Sequence, residues 1–456
     1  MLDELRDKKI LLVGLGVSGL ASARFLAARG IAFDVADSRR QPPDIEQLRK
    51  IAPGVKLALG GFDPARFAGY QLLIKSPGVD PAEPAIMAAL DAGAELLGDI
   101  ELFARAVTAP VIAVTGSNGK STVVSMLGEM ARAAGLRVAV AGNIGYSALD
   151  ALDAQAALYV LELSSFQLET TRSLAPLAAS VLNLSEDHLD RYPSFDHYVL
   201  TKHHIYHRAR HWVINADDPL TRPDDIPPAE ACEHVVTSFG DSGEYSLVPG
   251  VGGEWLSADG ELLMPLAELR VPGRHNGYNA LAALALGDAA ALPRAAMLAG
   301  LRRFGGLEHR CQWLGERDGV ACYNDSKGTN VGATLAALNG LAAAAHGAAP
   351  RHAKVVLIAG GEGKGQDFTP LREALAQTAR ALVLIGRDAD LIDAAVGHAV
   401  PTLRAADMDE AVARAVALAV PGDAVLLSPA CASFDMFDDY SARGRAFAAA
   451  VGRWLS

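Results

Sequence analysis

The sequence predicts an α/β protein of three domains built on parallel sheets: a Rossmann-like domain over 1–97, a central P-loop-type domain over 98–306, and a second Rossmann-like domain over 307–456. Three observations predict it. Short β-branched runs alternate with Ala- and Leu-rich segments of helical character along the whole chain. Two of these runs pass through glycine-bearing turns, at 14–19 and 116–119, straight into helices. Polar bursts follow most of the strands, at the carboxyl ends where α/β sheets bind ligands. At 456 residues the chain is too long for one ordinary core.

Each element follows in order. Residues 9–13 (Lys-Ile-Leu-Leu-Val) form the first strand, Gly14-Leu15-Gly16-Val17-Ser18-Gly19 the turn, and 20–28 the helix. A second strand over 31–36 ends at Asp37, and a third over 71–74 is stopped by Ser76-Pro77-Gly78. The boundary falls near Gly98, ahead of a short helix over 100–107 and Pro110. The second section opens with a buried strand through Val111, Ile112 and Val114, then Gly116-Ser117-Asn118-Gly119-Lys120-Ser121-Thr122, then a helix over 123–134. Strands over 137–141, 157–163 and 180–184 run into Gly142-Asn143-Ile144-Gly145, Ser164-Ser165-Phe166-Gln167 and Ser185-Glu186-Asp187-His188. A helix covers 195–208, residues 240–272 read as a small β excursion, and 276–290 is helical. The third section starts near Leu307. Its strands are 319–323, 354–358, 381–385 and 423–427, with a helix over 331–338 and an Ala/Gly-rich surface connection over 340–351.

Composition narrows the function. Half the residues are hydrophobic and 21% are charged, a globular profile. The net charge of −12 argues against sequence-independent nucleic-acid binding, which needs a basic face. Cys232, Cys311, Cys322 and Cys431 lack metal-ligand spacing and read as free thiols of a reducing compartment. The charged N-terminus lacks a signal-peptide core, and no apolar run reaches transmembrane length. A cytoplasmic enzyme, with no membrane insertion, is the expectation.

The chemistry gathers at the turns. Gly14, Gly16 and Gly19 with Asp37 fit a dinucleotide fingerprint, in which Asp37 and Ser38 contact a ribose or base. That geometry serves any diphosphate nucleotide, UDP- or NAD-like. The second turn lacks the first glycine of the general P-loop, since Val114 stands there. Its Lys120 suits β/γ-phosphates and its Ser121 suits Mg²⁺, so it fits ATP·Mg²⁺. Glu162 ends an apolar strand, where either a metal ion or an arginine elsewhere offsets its burial. His188 follows another strand and suits a second metal, an acyl group or a structural role. Lys202, by itself, reads as a surface lysine, and His197, His203, His204, His207 and His211 as exposed or packing residues. In the third section Asp325, Lys327 and Thr329 gather at a helix N-terminus, Lys364 lies in a glycine-rich turn, and Ser433 and Phe434 follow the last strand. Two lysines among such loops suit a substrate with two carboxylates.

Gly-Ser-Asn-Gly-Lys-Ser-Thr, Gly-Asn-Ile-Gly, Glu-Leu-Ser-Ser-Phe-Gln-Leu-Glu, Glu-Asp-His-Leu-Asp-Arg-Tyr, Asn-Asp-Ser-Lys-Gly-Thr-Asn and Leu-Ser-Pro-Ala-Cys-Ala-Ser occur in this order over essentially the whole chain. In that set the chain resembles the Mur ligase family of bacterial peptidoglycan synthesis, in its D-glutamate-adding branch. The resemblance implies an ATP-dependent ligase, monomeric and cytoplasmic. It would activate the L-alanine carboxylate of UDP-N-acetylmuramoyl-L-alanine as an acyl phosphate, which D-glutamate then attacks. It implies that Gly116, Ser117, Asn118, Gly119, Lys120, Ser121 and Thr122 cradle ATP, with Asn279 and Arg310 at adenine and phosphate and Asp325 at the ribose. Ser121 and Glu162 would hold Mg²⁺; His188 and Lys202 would serve a second metal, Lys202 as a carbamylated lysine. Val17, Ser18, Asp37, Ser38, Ser76 and Gly78 would hold the uridine diphosphate, and Asn143 the muramoyl group. Lys327, Thr329, Lys364, Ser433 and Phe434 would surround D-glutamate. Tyr440 stands where the family often has Phe. The L-alanine-adding ligase of the same family is the alternative, disfavoured by Asn-Asp-Ser-Lys. An NAD-dependent dehydrogenase explains residues 14–37 but not Lys120, Glu162 or Lys327.

Overall fold

A computed structural model describes residues 3–185, 191–223, 234–271, 273–345, 354–363 and 365–456. His188, Lys364 and Cys232 lie outside the described residues. The chain divides into two compact units, one of residues 1–246, 258–260 and 279–300, the other of 247–257, 261–278 and 301–456.

The first unit holds two parallel sheets. The N-terminal sheet has the spatial order Leu57–Leu59, Asp34–Asp37, Ile10–Val13, Leu72–Lys75, Glu95–Gly98. Every neighbouring pair is parallel. The strand order reverses between Ile10–Val13 and Leu72–Lys75, which opens a crevice at their carboxyl ends. The second sheet runs Val235–Phe239, His211–Asn215, Ala178–Val181, Val111–Thr115, Leu158–Glu162, Val138–Gly142, again parallel. Val111–Thr115 is therefore flanked on both sides, and its carboxyl end opens between the ends of two neighbours. One apolar cluster joins residues of both sheets, from Leu5, Leu12 and Phe103 to Tyr159, Leu161 and Tyr206. Two parallel sheets buried on both faces need such continuous apolar runs.

The second unit carries the strands Gly253–Ala258 and Glu261–Pro265 and a six-stranded sheet. Its order is Gln312–Arg317, Val320–Asn324, Ala424–Leu427, Val355–Gly360, Ala379–Ile385, Thr402–Arg404. All pairs are parallel except the first, a hairpin. Separate apolar clusters cover its two faces.

Several expected bounds move. The first helix begins at Val17, not at residue 20, because Gly16 is its cap. The strand expected over 31–36 is Asp34–Asp37, and the one over 180–184 is Ala178–Val181. The helix expected over 195–208 is Phe195–His203 followed by a 3₁₀ turn. The excursion over 240–272 contains Tyr245–Gly250, Gly253–Ala258 and Glu261–Pro265, as its alternating pattern implies. The helix expected over 331–338 continues to Ala345, into the stretch read as a surface connection. Alanine is the strongest helix former, so the Ala-rich run prolongs the helix.

Candidate functional site

Two cradles lie in the first unit. At the first, Gly14 (φ +92°) turns the chain and its N–H bonds the carbonyl of Ala36 at 2.8 Å. A Cβ on Gly19 would stand 2.0 Å from the Gly14 oxygen, so only glycine lets helix and strand approach here. The Ser76 hydroxyl closes the turn by donating to that same oxygen at 2.8 Å. A cavity of about 580 Å³ opens above these turns. It is lined by Gly16, Val17, Ser18, Asp37, Ser38 and Arg39, by Ser76 to Val79, and by Gly142, Asn143 and Gln167 from the second sheet.

Asp37 does not offer a free carboxylate to a ribose. Its Oδ2 accepts from the Leu15 N–H at 2.7 Å and from the Arg39 guanidinium at 2.8 Å; its Oδ1 accepts from the Arg39 N–H and Nε, each at 2.8 Å. These four bonds fill a carboxylate's acceptor capacity. Burial pushes the Asp37 carboxyl up, but Arg39 and the Leu15 N–H outweigh it and leave it below the usual carboxylate range. Asp37 thus shapes the turn and aims Arg39, a residue the motif reading passed over because its fingerprint stops at the acid.

The second cradle follows Val111–Thr115. Gly116 (φ +145°) and Gly119 (φ +81°) turn the chain, and the helix Lys120–Ala133 begins directly after. The Lys120 amine donates to the carbonyls of Gly116 and Ser117 at 2.8 and 2.9 Å, folded across its own loop. Ser117 and Asn118 are pinned by a residue the sequence did not point to, Asn183. It gives its carbonyl to the Ser117 N–H at 2.9 Å and its side-chain oxygen to the Asn118 N–H at 2.8 Å. A Cβ on Gly119 would meet the Asn279 amide oxygen at 2.5 Å, so the helix Arg274–Ala289 brings Asn279 to this loop. Thr122 lies within the first turn of Lys120–Ala133.

Glu162 links the cradles. It ends Leu158–Glu162 and is buried. Its Oε2 accepts from the Ser121 hydroxyl at 2.7 Å and its Oε1 from the Asn143 amide at 2.9 Å. The arginine partner left open by the sequence is thus replaced by a hydroxyl and an amide. A buried carboxylate beside a hydroxyl at a phosphate loop is an oxygen-donor pair that suits Mg²⁺. Lys202 corrects its residue-level reading as a surface lysine. It is buried, its amine donates to the Gly116 carbonyl at 3.1 Å and to the Thr115 hydroxyl at 3.3 Å, and it stands 4.8 Å over the Tyr198 ring. Burial follows from the parallel sheet, which lays the helix Phe195–His203 against the end of Val111–Thr115. Among the described residues no group of three His, Cys, Asp or Glu could hold a metal.

The second unit gathers its own set. The Asp325 carboxylate accepts from the Ser428 hydroxyl at 2.7 Å and from the Cys311 N–H at 3.1 Å. Burial pushes it up to about 6. His309 (φ +62°) and Cys311 (φ +42°) flank the exposed Arg310, a pair of left-handed non-glycine residues that stores strain where the resemblance expects a ligand contact. Lys327 stands 5.3 Å over the Tyr440 ring, and its N–H bonds the His309 carbonyl. The Thr329 N–H bonds the Lys327 carbonyl at 2.8 Å. Ser433 is buried and Phe434 exposed, on a loop whose Ala432 pairs with Glu362. Sequence reasoning missed Arg443. Its buried guanidinium donates to the Ser326 hydroxyl and carbonyl and to the carbonyls of Cys431 and Ala432, clasping the Lys327 loop to the Ser433 loop. Burial lowers it to about 10.

Three family profiles match in series: "Mur ligase MurD-like, N-terminal domain" over 8–98, "Mur ligase middle domain" over 114–287, and "Mur ligase, glutamate ligase domain" over 309–431. The chain is 52% identical to the UDP-N-acetylmuramoylalanine–D-glutamate ligase of Pseudomonas fluorescens Pf-5, covering 96% of each chain. It is 52% identical to that of Nitrosococcus oceani, over 98% of this chain and 96% of the relative. It is 51% identical to that of Pseudomonas aeruginosa PAO1, over 97% of both. Among solved structures, the UDP-N-acetylmuramate–alanine ligase of Thermotoga maritima shares the fold with a TM-score of 0.56 at 20% identity, over 98% of this chain and 99% of that one. A UDP-N-acetylmuramoyl-L-alanyl-D-glutamate–2,6-diaminopimelate ligase does so with a TM-score of 0.59 at 18% identity, over 87% and 95%.

Proposed function

This chain belongs to the Mur ligase family, and on that premise we propose how its residues carry out an ATP-dependent ligation that adds D-glutamate to UDP-N-acetylmuramoyl-L-alanine in peptidoglycan precursor synthesis. The observation that carries the reading is the chain of two hydrogen bonds Asn143–Glu162–Ser121. It runs from the wall of the cavity above Gly16 to the first turn after the phosphate loop. A carrier nucleotide in the cavity and a triphosphate on the loop would thus address one carboxylate from two sides.

The chemistry needs both ligands. A carboxylate is a poor electrophile, so the L-alanine carboxylate oxygen attacks the γ-phosphorus and ADP leaves. The D-glutamate amine then attacks the acyl carbon, and phosphate leaves through a tetrahedral intermediate. Positioning and charge neutralisation supply most of the catalysis. Lys120 and the backbone N–H groups at the start of its helix, residues 119–122, hold the phosphates, on a loop that Asn183 pins at Ser117 and Asn118. Ser121 and Glu162 are the residues to hold Mg²⁺, which when bound neutralises phosphate charge. Lys202 serves as a carbamylated lysine that positions charge, a role supported by its burial beside the phosphate loop. Gly16, Val17, Ser18, Ser38, Arg39, Ser76 and Gly78 hold the uridine diphosphate. Asn279, Arg310 and Asp325 serve the adenosine end, and Lys327, Thr329, Ser433, Phe434 and Tyr440 the amino acid. His188 and Lys364 complete the set by resemblance. From the family to which the chain belongs we infer a monomer of the cytoplasm; no helix among the described residues is long and apolar enough to cross a membrane.

Phosphate release from ATP tests the reading. With UDP-N-acetylmuramoyl-L-alanine we expect turnover with D-glutamate, and none with L-glutamate or L-alanine. Turnover of UDP-N-acetylmuramate with L-alanine instead would overturn it.

A further inference from the structure

Lys75 ends a buried strand with its side chain fully shielded from solvent, directly ahead of the Ser76–Val79 turn that lines the cavity. Its amine has two acceptors beyond its own turn residue Pro77: the Glu169 carboxylate at 3.3 Å and the Val79 carbonyl at 3.1 Å. Arg191 uses the same two atoms, donating to Glu169 Oε2 at 2.9 Å and to the Val79 carbonyl at 3.1 Å. Its guanidinium also lies 4.8 Å over the Phe166 ring and 3.7 Å from Asp80. Two cations and two acceptors thus form a closed square in which every donor bonds both acceptors.

The square joins three segments. Val79 belongs to the carrier turn. Glu169 caps the short helix Ser165–Leu168, which follows the Glu162 strand. Arg191 lies ahead of the helix that carries Lys202. Two cations against one mostly buried carboxylate are costly to desolvate, so an apolar trio would hold the fold at less expense. Burial indeed pulls the Lys75 amine down, and Glu169 only partly restores it. What the square supplies beyond packing is a directional constraint on how far the carrier turn stands from the elements bearing Glu162 and Lys202.

That distance matters for the reaction proposed above, on which this inference rests. The acceptor carboxylate sits at the end of a tether from the uridine diphosphate, and one amino acid lengthens the tether by about 3.5 Å. We propose that Lys75, Glu169 and Arg191 are positioning residues that set the span from carrier turn to phosphate loop, and thereby select a sugar nucleotide extended by one amino acid over the unextended one.

The test uses the full-length chain and the variants K75M, K75R and E169Q. Steady-state kinetics with UDP-N-acetylmuramoyl-L-alanine, inhibition by UDP-N-acetylmuramate, KM for ATP, and melting temperature are measured for each. In K75M and E169Q we expect a tenfold or larger rise in KM for the extended substrate. Inhibition by the unextended one should change less than threefold, and KM for ATP less than twofold. K75R should recover most of the selectivity. If E169Q fails to fold, the K75M and K75R pair decides. A drop in melting temperature with the ratio of the two sugar nucleotides unchanged would overturn the inference. UDP binding to the wild type separates the two levels: absent binding sinks the carrier reading and the inference with it, while normal binding with unchanged selectivity sinks the inference alone.

Discussion

A methyl group on Gly19 would stand 2.0 Å from the Gly14 carbonyl oxygen, a contact no side-chain rotation can relieve because the backbone fixes both the Cβ position and the oxygen. Gly19→Ala should cost roughly 1–3 kcal/mol through forced displacement of helix from strand. UDP affinity, read by calorimetric titration, should fall with it; unchanged affinity would show that the turn is not the carrier site. Asp325 gives a second residue-level expectation. Burial raises its carboxyl from 3.8 to about 6, against hydrogen bonds from Ser428 and Cys311. The folded state then binds more protons than the unfolded state between those values. Its contribution to stability is full below about pH 4 and is lost as pH rises towards 6. Asp325→Asn should flatten that decline by on the order of 2–3 kcal/mol, measured by denaturant unfolding at pH 4 and pH 7. An unaltered slope would mean that Asp325 titrates normally. Gly19 was legible in the sequence as a motif position, since its constraint is local. Arg39, Asn183, Lys75 and Arg443 were not. Arg443 meets Ser326 across 117 residues, and no pattern along the chain encodes such a pairing.

At the scale of elements, the short helix Ser165–Leu168 shows how a cap serves a site. The Ser164 hydroxyl accepts from the Gln167 N–H at 3.3 Å, and the Gln167 side-chain oxygen accepts from the Ser164 N–H at 3.1 Å. This capping box leaves the Gln167 amide to donate to buried Asp99 at 3.3 Å, along the cavity wall. Ser164→Ala should cost about 1 kcal/mol. It should also raise KM for the sugar nucleotide more than KM for ATP, in steady-state assays; equal changes would assign the box to folding alone. Strand ends with polar bursts were readable because a buried parallel strand is a continuous apolar run, and its end is where polarity returns. Edge strands such as Leu57–Leu59 and Thr402–Arg404 escaped notice. They are three residues long and half-buried, too short for either periodicity to register.

At the scale of the whole molecule, both nucleotide cradles belong to the first unit, while Lys327, Ser433 and Arg443 belong to the second. Each unit has apolar clusters of its own. Calorimetry should therefore resolve two transitions, and UDP alone should raise only the one belonging to the first unit. At a hundred times its dissociation constant UDP should stabilise that unit by about 2.7 kcal/mol. A UDP-dependent shift of both transitions by equal amounts would instead indicate one cooperative body.

By itself, the order of apolar runs, glycine turns and polar bursts determined the α/β class, the family resemblance and the location of both cradles, because each of these is written within a few consecutive residues. Only the tertiary structure decided that Asp37 is spent on Arg39, that Lys202 is buried against Gly116, and that Lys75 and Arg191 share two acceptors. Those outcomes depend on which strands become neighbours, and the cost of burying a charge is set by partners that the fold, not the local sequence, brings within reach.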